Sequence, residues 1–298
     1  MNEQPLRVLV LGGGPDAERD VSLRSAAAVA AALRRAGHTV LESDIGPEDA
    51  SPLRADVQVI FPVLHGPFGE GGPLQRMLEA NGVPYVGSGP EAAAAAMDKA
   101  VSKSIAESCG VPTPAAQVIG GAADLSLEPP LVLKPLDSGS SCGVFICRDR
   151  SALETALRPL LAEHGRVLAE RFIEGAELTV GLVDDQTLPP IQIVPASAFY
   201  DFEAKYDRND TQYRFDFEIP PETSRAMLEH ALAVHRAIGA RDLSRVDFLV
   251  DAEHRPWFLE INTMPGFTDH SLLPMAAARA GLPMERLCDR LARLALNR

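Results

Sequence analysis

Cysteine, long hydrophobic runs and basic charge are all scarce in this sequence. The few cysteines are scattered without a Cys-x-x-Cys pair, and they are Cys109, Cys142, Cys147 and Cys288. This distribution fits reduced thiols better than a disulfide framework or a zinc site. The longest apolar stretch follows Ser25 and closes at Arg34, well short of a membrane span. Because the amino terminus also lacks the basic and apolar regions of a signal peptide, we expect a cytoplasmic protein that does not cross a membrane.

Acidic residues outnumber basic ones, 41 to 28, which gives a formal net charge of -13. The basic residues form no stripe or tail, so binding to nucleic acid or to an anionic membrane surface is disfavoured. Any site for a phosphate group must therefore be formed locally. Apolar residues make up 46% of the chain and charged residues 23%, which is typical of a folded globular protein. A length of 298 residues allows two or three packed domains.

Two common nucleotide-binding signatures are missing. The glycines Gly12, Gly13 and Gly14 follow the first predicted strand, but they do not have the spacing of the GxGxxG fingerprint. No segment matches the GxxxxGK[ST] phosphate loop either. The first absence disfavours a dinucleotide-dependent oxidoreductase, and the second excludes a Walker-type phosphate site.

The amino-terminal third alternates apolar strands with helix-compatible segments. Strands are predicted at 6–11, 39–43, 57–64 and 84–86. This alternation predicts a parallel sheet. A small central module follows, with a helix between Ser151 and His164 and strands at 131–134, 143–147, 167–171 and 177–183. The last part is predicted to contain a helix at 221–239, a hairpin at 245–262 and a terminal helix from Met284. The predicted domains are 1–98, 99–184 and 185–298.

Apolar and polar residues alternate along both strands of the predicted hairpin. With a turn at Glu253 and His254, burying both apolar faces on one side pairs Val246 with Ile261, Phe248 with Leu259, Asp247 with Glu260 and Arg245 with Asn262. Like charges directly opposed across a ladder cost a few tenths to about 1 kcal/mol, so Asp247 and Glu260 favour a cation between them. Mg²⁺ suits such an oxygen-rich site. A solvated charged face is the alternative, and a one-residue slip in register would separate the pair.

Three further segments carry polar groups suited to a nucleotide. Lys134 ends a strand and precedes the small residues 137–143, whose backbone amides can approach phosphate oxygens beside the lysine charge. Glu170 and Glu177 flank a strand and turn, where they can accept from an adenine amine and ribose hydroxyls. The turn 263–267 exposes backbone N–H groups that can hold an oxyanion beside the proposed metal. The alternatives are a flexible linker, exposed solubilising glutamates and an ordinary Pro-Gly turn.

Nine motifs, in order along nearly the whole chain, resemble those of the D-alanine:D-alanine ligase family of the ATP-grasp superfamily. They are AERDVSLRSA at 17–26, LHGPFGEGGPLQ at 64–75, the segment from GSG to MDKAVSK at 87–103, KPLDSGSSCGV at 134–144, ERFIEGAELTV at 170–180, FYDFEAKY at 199–206, TQYRF at 211–215, RVDFLVD at 245–251 and LEINTMPGFTDHSLLP at 259–274.

The resemblance implies an ATP-grasp fold of mixed α/β and α+β class. A Rossmann-like parallel-sheet domain would come first, followed by a small central domain that covers ATP and a carboxyl-terminal domain that holds metal and substrate. The implied activity is ADP-forming ligation of two D-alanine molecules through an acyl phosphate, for peptidoglycan precursor synthesis. The implied cofactors are ATP and two Mg²⁺ ions, for which Mn²⁺ substitutes. The implied assembly is a homodimer.

The resemblance also implies roles for individual residues. ATP would be bound by Lys99, Lys134, Ser140, Ser141, Glu170, Arg171, Ile173, Glu177 and Lys205. The metal ions would be bound by Asp247, Glu260 and Asn262. The D-alanine substrates would be bound by Glu18, His65, Arg245, Gly266, Ser271 and Leu272. Catalysis would depend on Arg245 and Gly266 and on a hydrogen-bonded link formed by Glu18, Ser140 and Tyr206.

The sequence departs from the family pattern at three positions. Gly71 and Ser138 stand where acidic residues are usual, and Arg171 stands where lysine is common. None of these changes removes a predicted metal ligand. Tyr206 favours D-alanine as the second substrate, because relatives that use D-lactate carry histidine there. The alternatives are a ligase for D-serine or D-lactate and a nucleotide-binding regulator that has lost catalysis.

Overall fold

The computed structural model describes residues 4–139, 143–195 and 211–298. The helices described are α1 (Arg19–Arg35), α2 (Gly66–Glu70), α3 (Pro73–Asn81), α4 (Pro90–Met97), α5 (Lys99–Ser108), α6 (Arg150–His164), α7 (Pro221–Ala237), α8 (Leu272–Arg279) and α9 (Met284–Leu296). The strands described are β1 (Arg7–Gly12), β2 (Thr39–Asp44), β3 (Val59–Pro62), β4 (Ala116–Ile119), β5 (Leu131–Pro135), β6 (Phe145–Cys147), β7 (Val167–Arg171), β8 (Gly175–Val183), β9 (Gln186–Thr187), β10 (Ile191–Val194), β11 (Gln212–Arg214), β12 (Leu243–Asp251) and β13 (Pro256–Asn262). Within these ranges no helix is long and apolar enough to span a membrane. The described cysteines are free thiols, as the sequence predicts.

The amino-terminal sheet is parallel, as the alternation of strands and helices predicts, with β1 between β2 and β3. α1 packs against β1 and β2. The fourth predicted strand, at 84–86, is wrong in extent because it amounts to a single bridge between Tyr85 and Ile60. Pro84 has no amide hydrogen to donate, and Gly87 turns the chain with φ at 103°. The ladder therefore does not extend beyond the bridge.

The small sheet has the strand order β4-β7-β5-β6 and packs against α6. Its pairs are antiparallel. The helix begins after Asp149, whose carboxylate accepts from the Ala152 amide at 2.8 Å and so satisfies one of the free N–H groups of the first turn. Leu153, Leu157 and Leu160 recur at helical spacing and are buried in the core of this unit. The sequence pattern does not predict β4, because most of this short strand is only partly buried.

The large sheet has the strand order β11-β10-β8-β12-β13, with β9 paired to β8. The sequence assigns 177–183 to the small central module, and this assignment is wrong, since β8 lies between β10 and β12 of the large sheet. The physical reason is burial: six consecutive residues of β8, from 178 to 183, are buried. A strand covered on both faces belongs in the middle of a sheet. The domain boundaries after residues 98 and 184 stay predictions.

The hairpin of β12 and β13 has the predicted register at its inner end and a different register beyond it. The confirmed pairs are Arg245 with Asn262, Val246 with Ile261 and Asp247 with Glu260. The predicted pairing of Phe248 with Leu259 is wrong, because the register shifts after Asp247 and Phe248 faces Phe258 instead. The sequence pattern thus predicts the half of the hairpin that carries the acidic pair.

This β-bulge buries the larger of two apolar side chains. Phe258 is fully buried and meets Phe248 edge to face, with ring centroids 6.4 Å apart. Leu259 is only half-buried. Strict alternation would reverse the two, exposing the ring and burying the smaller Leu259 side chain. The extra residue in β13 allows Phe258 and Ile261 to share the core under α7, although they are three positions apart.

The bulge predicts the order in which two neighbouring substitutions destabilise the fold. Phe258→Ala removes a fully buried ring and should lower the free energy of unfolding by about 3–5 kcal/mol. Leu259→Ala, as the matched comparison, should lower it by less than about 1.5 kcal/mol, because that side chain is half-buried. Urea unfolding followed by circular dichroism measures both. A larger loss for Leu259→Ala would contradict the observed register.

Candidate functional site

Two cavities meet at the inner end of the β12–β13 hairpin. The larger, about 440 Å³, lies between the small and the large sheets. The smaller, about 100 Å³, lies among α2, the start of α5, the end of β13 and the turn before α8. Lys99, Ser138 and Glu260 line both cavities. Among the described residues, these three therefore form a wall that the two cavities share.

The larger cavity gathers the residues that the sequence predicts for ATP. All six that fall within the described ranges line it, and they are Lys99, Lys134, Glu170, Arg171, Ile173 and Glu177. Ser140, Ser141 and Lys205 lie outside the described residues. Apolar side chains from both sheets, among them Val132, Ile146, Leu249 and Leu259, complete the walls. The cavity thus combines apolar surface with charged groups at its edges, as small-molecule sites commonly do.

Each of the two lysines that line the larger cavity lies close to a glutamate. Lys134 forms an ion pair with Glu170 across the neighbouring strands β5 and β7. Lys99 begins α5, where its ammonium donates to the Ser138 carbonyl at 2.5 Å and lies 3.9 Å from the Glu260 carboxylate. Asp98 caps that helix by accepting from the Ala100 amide at 2.9 Å. Two lysine ammonium groups are therefore held at the cavity wall.

Asp247 is fixed by neighbours on two strands of the large sheet. Arg245, two residues away on the same face of β12, donates to both of its carboxylate oxygens at 2.9 and 2.7 Å. The Thr179 hydroxyl on β8 donates to the same carboxylate at 2.5 Å. Both charged side chains are largely buried, with 14% and 7% of Arg245 and Asp247 exposed. A bidentate arginine contact of this kind orients a carboxylate as well as neutralising it.

The predicted metal ligands provide a suitable donor set for a hard divalent cation. Asp247 and Glu260 line the larger cavity, and Glu260 and Asn262 line the smaller one. The Asn262 amide oxygen also accepts from the Met264 amide at 2.9 Å, which fixes the side chain. Carboxylate and amide oxygens are the ligands that Mg²⁺ prefers. In the part of the chain that the structure describes, no cluster of three or more His, Cys, Asp or Glu residues is arranged to bind a metal. The three predicted ligands do not form such a cluster, because one of them is an asparagine.

The smaller cavity is lined by most of the residues predicted to bind substrate. They are His65, Arg245, Gly266, Ser271 and Leu272. Ser271 immediately precedes α8, so the positive end of the helix dipole faces this cavity. A Cβ atom at Gly266 would lie 2.8 Å from the Ser271 hydroxyl, so any larger residue would push into this turn. The Ser271 hydroxyl itself accepts from the Thr268 amide at 2.9 Å, which fixes the entrance to the helix.

Two titratable groups of the smaller cavity have pKa values far from their usual range. Burial lowers the pKa of His65 to about 4, and the nearby charge of Arg245 adds to this effect. Among the described atoms, none hydrogen-bonds its Nε2. Burial also raises the pKa of Glu70 to about 8, with further contributions from the charges of Glu18 and Glu260. At neutral pH the imidazole is uncharged, and Glu70 is poised to ionise when a cation approaches.

Glu18 lies beside the small-residue loop rather than in the wall of the smaller cavity. It immediately precedes α1, makes no capping hydrogen bond with its side chain, and is buried. The backbone of Gly139 passes so close that a Cβ atom there would lie 3.3 Å from the Glu18 carboxylate. Its predicted partners Ser140 and Tyr206 lie outside the described residues. The structure therefore places Glu18 next to the loop that carries one of them.

Glu70 lines the smaller cavity, although the sequence pattern does not indicate it. It ends the short helix α2, and its carboxylate accepts from the Gly66 amide at 3.3 Å. Its motif, LHGPFGEGGPLQ, contributed to the family resemblance, but nothing in its spacing indicated that the carboxylate turns toward the smaller cavity. Only the folded chain reveals it, because Glu70 lines the smaller cavity together with Glu260 and Asn262 of the hairpin end.

Models of one protein family match most of the chain. The model described as D-ala D-ala ligase C-terminus matches residues 119–293, which is more than half of the chain. The model described as D-ala D-ala ligase N-terminus matches residues 37–88.

Proteins that match over nearly their full length belong to the same family. A D-alanine–D-alanine ligase from Anaeromyxobacter sp. (strain K) is 44% identical over 294 residues, covering 96% of this chain and 95% of the relative. The crystal structure of D-alanine–D-alanine ligase from Bacillus anthracis complexed with ATP superposes with a TM-score of 0.86 at 31% identity, covering 99% and 98% of the two chains. The VanG D-Ala:D-Ser ligase from Enterococcus faecalis gives the same TM-score at 25% identity, covering 98% and 100%. These similarities confirm the expected fold, and the chain belongs to the D-alanine–D-alanine ligase family.

Proposed function

We propose that this protein is an ATP-dependent ligase that joins two D-alanine molecules into D-alanyl-D-alanine, with release of ADP and phosphate. The observation that carries the proposal is the shared wall of the two cavities, formed by Lys99, Ser138 and Glu260. A nucleotide in the larger cavity and an amino acid in the smaller one would bring a terminal phosphate and a carboxylate together at this wall. Family membership supports the same reaction.

The reaction needs ATP because a carboxylate is a poor electrophile. In the proposed sequence, an oxygen of the first D-alanine carboxylate attacks the γ-phosphorus, and the bond to ADP breaks. The amine of the second D-alanine then attacks the carbonyl carbon of this acyl phosphate and loses a proton, and phosphate leaves with the oxygen that came from the carboxylate. Both steps develop negative charge at the boundary between the cavities, where Lys99 lies.

In the proposed nucleotide site, the adenine end of ATP lies against β7 and the segment that follows it. Glu170 accepts from the exocyclic amine, Arg171 and Ile173 contact the base, and Glu177 accepts from the ribose hydroxyls. The phosphates extend toward Lys99 and Lys134, whose ammonium groups lie at the same cavity. Ser140, Ser141 and Lys205 complete the proposed set from outside the described residues.

Asp247, Glu260 and Asn262 are the proposed ligands for two Mg²⁺ ions, with Mn²⁺ as a substitute. Bound there, the ions would neutralise the phosphate charge. The protein's own contribution is to orient the ligands. Arg245 and Thr179 hold the Asp247 carboxylate, and the Met264 amide holds the Asn262 side chain. These contacts reduce the reorganisation that metal binding requires.

The first D-alanine is proposed to place its ammonium near two acidic groups, one in the wall of the smaller cavity and one beside the small-residue loop. Glu18 and Glu70 supply carboxylates, and uncharged His65 can accept a hydrogen bond through Nε2. A cation would relieve the repulsion that helps to raise the pKa of Glu70. Arg245 and the Gly266 amide would bind the carboxylate and, later, the tetrahedral oxyanion.

The second D-alanine is proposed to place its carboxylate at the start of α8. Ser271 and Leu272 lie there, and the free N–H groups of a first helical turn together with the helix dipole favour an anion. A carboxylate fixed at this point would leave its amine to face the first substrate. The Glu18, Ser140 and Tyr206 link is proposed to help close the site, because water would hydrolyse the acyl phosphate. A cytoplasmic homodimer that supplies peptidoglycan precursors completes the proposal.

The proposed reaction is tested by incubating the purified protein with ATP, Mg²⁺ and D-alanine. We expect D-alanyl-D-alanine and one phosphate per dipeptide, measured by mass spectrometry and a phosphate assay. The same incubation with D-serine or D-lactate added tests the choice of second substrate. A mixed product formed in preference to the D-alanine dipeptide would contradict D-alanine as the second substrate. Phosphate release without ligation would contradict the ligase activity. ATP binding without turnover would instead identify a nucleotide-binding regulator.

Removing a charge from either proposed metal ligand should abolish most of the activity and leave the fold intact. Asp247→Asn and Glu260→Gln should each lower kcat at least about 100-fold, because the charge of the transferred phosphoryl group loses its counter-ions. Glu253→Gln, in the exposed turn of the same hairpin, is the matched control and should retain full activity. Initial rates at varied Mg²⁺ and circular dichroism spectra make the comparison. Near-normal activity in both site variants would contradict the metal assignment.

A further inference from the structure

Lysine is rare in this chain. Among 28 basic residues only four are lysines, and they are Lys99, Lys103, Lys134 and Lys205. Lys99, Lys134 and Lys205 belong to the proposed ATP site, whereas the proposed function gives Lys103 no role. Lysine differs from arginine in presenting a compact point charge, which suits a single carboxylate or phosphate oxygen.

Lys103 is a buried cation directly behind the larger cavity. It lies one helical turn after Lys99 on α5, and only 5% of its side chain is exposed. Its ammonium contacts the Glu170 carboxylate and also donates to the Thr113 hydroxyl. Thr113 in turn donates to the Phe258 carbonyl of β13 at 3.1 Å. The large sheet therefore holds Lys103 in place through Thr113.

Glu170 lies between two lysines. Lys103 contacts one of its carboxylate oxygens and Lys134 the other. Glu170 and Lys134 line the larger cavity, whereas Lys103 does not. Burial raises the pKa of Glu170, but the charges of Lys134 and Lys103 outweigh it and hold that pKa below its usual range. Glu170 is thus an ionised carboxylate with one cation on the cavity side and one behind it.

We propose that Lys103 is a positioning residue for nucleotide selection, which keeps Glu170 ionised and oriented toward the 6-amino group of adenine while Lys134 binds an ATP phosphate. This inference rests on the proposed function. When Lys134 leaves Glu170 for a phosphate, the buried carboxylate retains Lys103 as its counter-ion. Without Lys103, Glu170 would take up a proton once Lys134 moves to the phosphate, since an unpaired buried charge is unfavourable.

The protonation state of Glu170 decides which purine it recognises. An ionised carboxylate only accepts hydrogen bonds, so it pairs with the 6-amino donor of adenine and opposes the 6-oxo acceptor of hypoxanthine. A protonated carboxyl group can donate to the 6-oxo oxygen instead. The ratio of affinity for ATP over ITP, which carries hypoxanthine, therefore reports whether Lys103 performs this role.

The test compares Lys103→Met, Lys103→Arg and the wild-type enzyme in ATP and ITP kinetics. Lys103→Met should raise the KM for ATP about 10- to 100-fold, the equivalent of one hydrogen bond to a charged group. Its kcat and its KM for D-alanine should stay within about threefold of wild type, and the ATP-to-ITP ratio of kcat/KM should fall about tenfold or more. Lys103→Arg keeps the charge and should recover most of that ratio. Arg241→Met, which removes a half-buried cation bonded to Gly87 and Tyr85, is the matched control and should leave the ratio unchanged.

An unchanged ATP-to-ITP ratio in Lys103→Met would overturn the inference, as would a parallel rise in KM for ATP and for D-alanine. If that variant does not fold, Thr113→Val removes the anchoring hydroxyl with little change of shape, and an unchanged ratio there would overturn the inference as well. Calorimetric binding of ATP and ITP gives the same ratio without turnover. Failure of the ligation reaction is thereby distinguished from failure of the role of Lys103.

Discussion

Two carboxylates, Asp247 and Glu260, face each other across adjacent strands of the large sheet, and the rest of the site is arranged around them. Such a pair is unfavourable unless cations lie close by. Asp247 forms an ion pair with Arg245 and accepts a hydrogen bond from the Thr179 hydroxyl. The Lys99 ammonium lies close to Glu260. Because Glu260 lines both cavities, these acidic and basic side chains lie where the two cavities meet. A reaction between an anionic nucleotide and a carboxylate needs its positive groups at that place.

The inner end of the hairpin could be predicted because one rule governs it. Apolar and polar residues alternate from Arg245 to Asp247 and from Glu260 to Asn262, so side-chain period alone sets the register. Beyond Asp247 the rule fails, since burying Phe258 against Phe248 requires an extra residue in β13. The position of β8 could not be predicted for a similar reason. Its apolar run indicates that the strand is buried but does not indicate which sheet the strand joins.

Some residues of the candidate site could likewise be predicted from the sequence, and others could not. Residues within long motifs, such as Glu177 and Ser271, could be assigned through resemblance, and they line the cavities. Glu70 and Lys103 lie within motifs too, but their importance depends on partners distant in the sequence. Glu70 is affected by the charges of Glu18 and Glu260, and Lys103 pairs with a carboxylate 67 positions later. Long-range contacts of this kind have no local periodicity, so only the folded chain reveals them.

In the proposed reaction, the boundary between the cavities brings a carboxylate oxygen to the γ-phosphate of ATP. The most direct measurement uses D-alanine labelled with ¹⁸O in both carboxylate oxygens, with mass analysis of the phosphate released during dipeptide synthesis. Phosphoryl transfer to the carboxylate predicts one ¹⁸O atom in each phosphate, because the acyl phosphate breaks between carbon and that oxygen. Dipeptide formed together with unlabelled phosphate would contradict this mechanism, since ATP would then have been cleaved without activating the carboxylate.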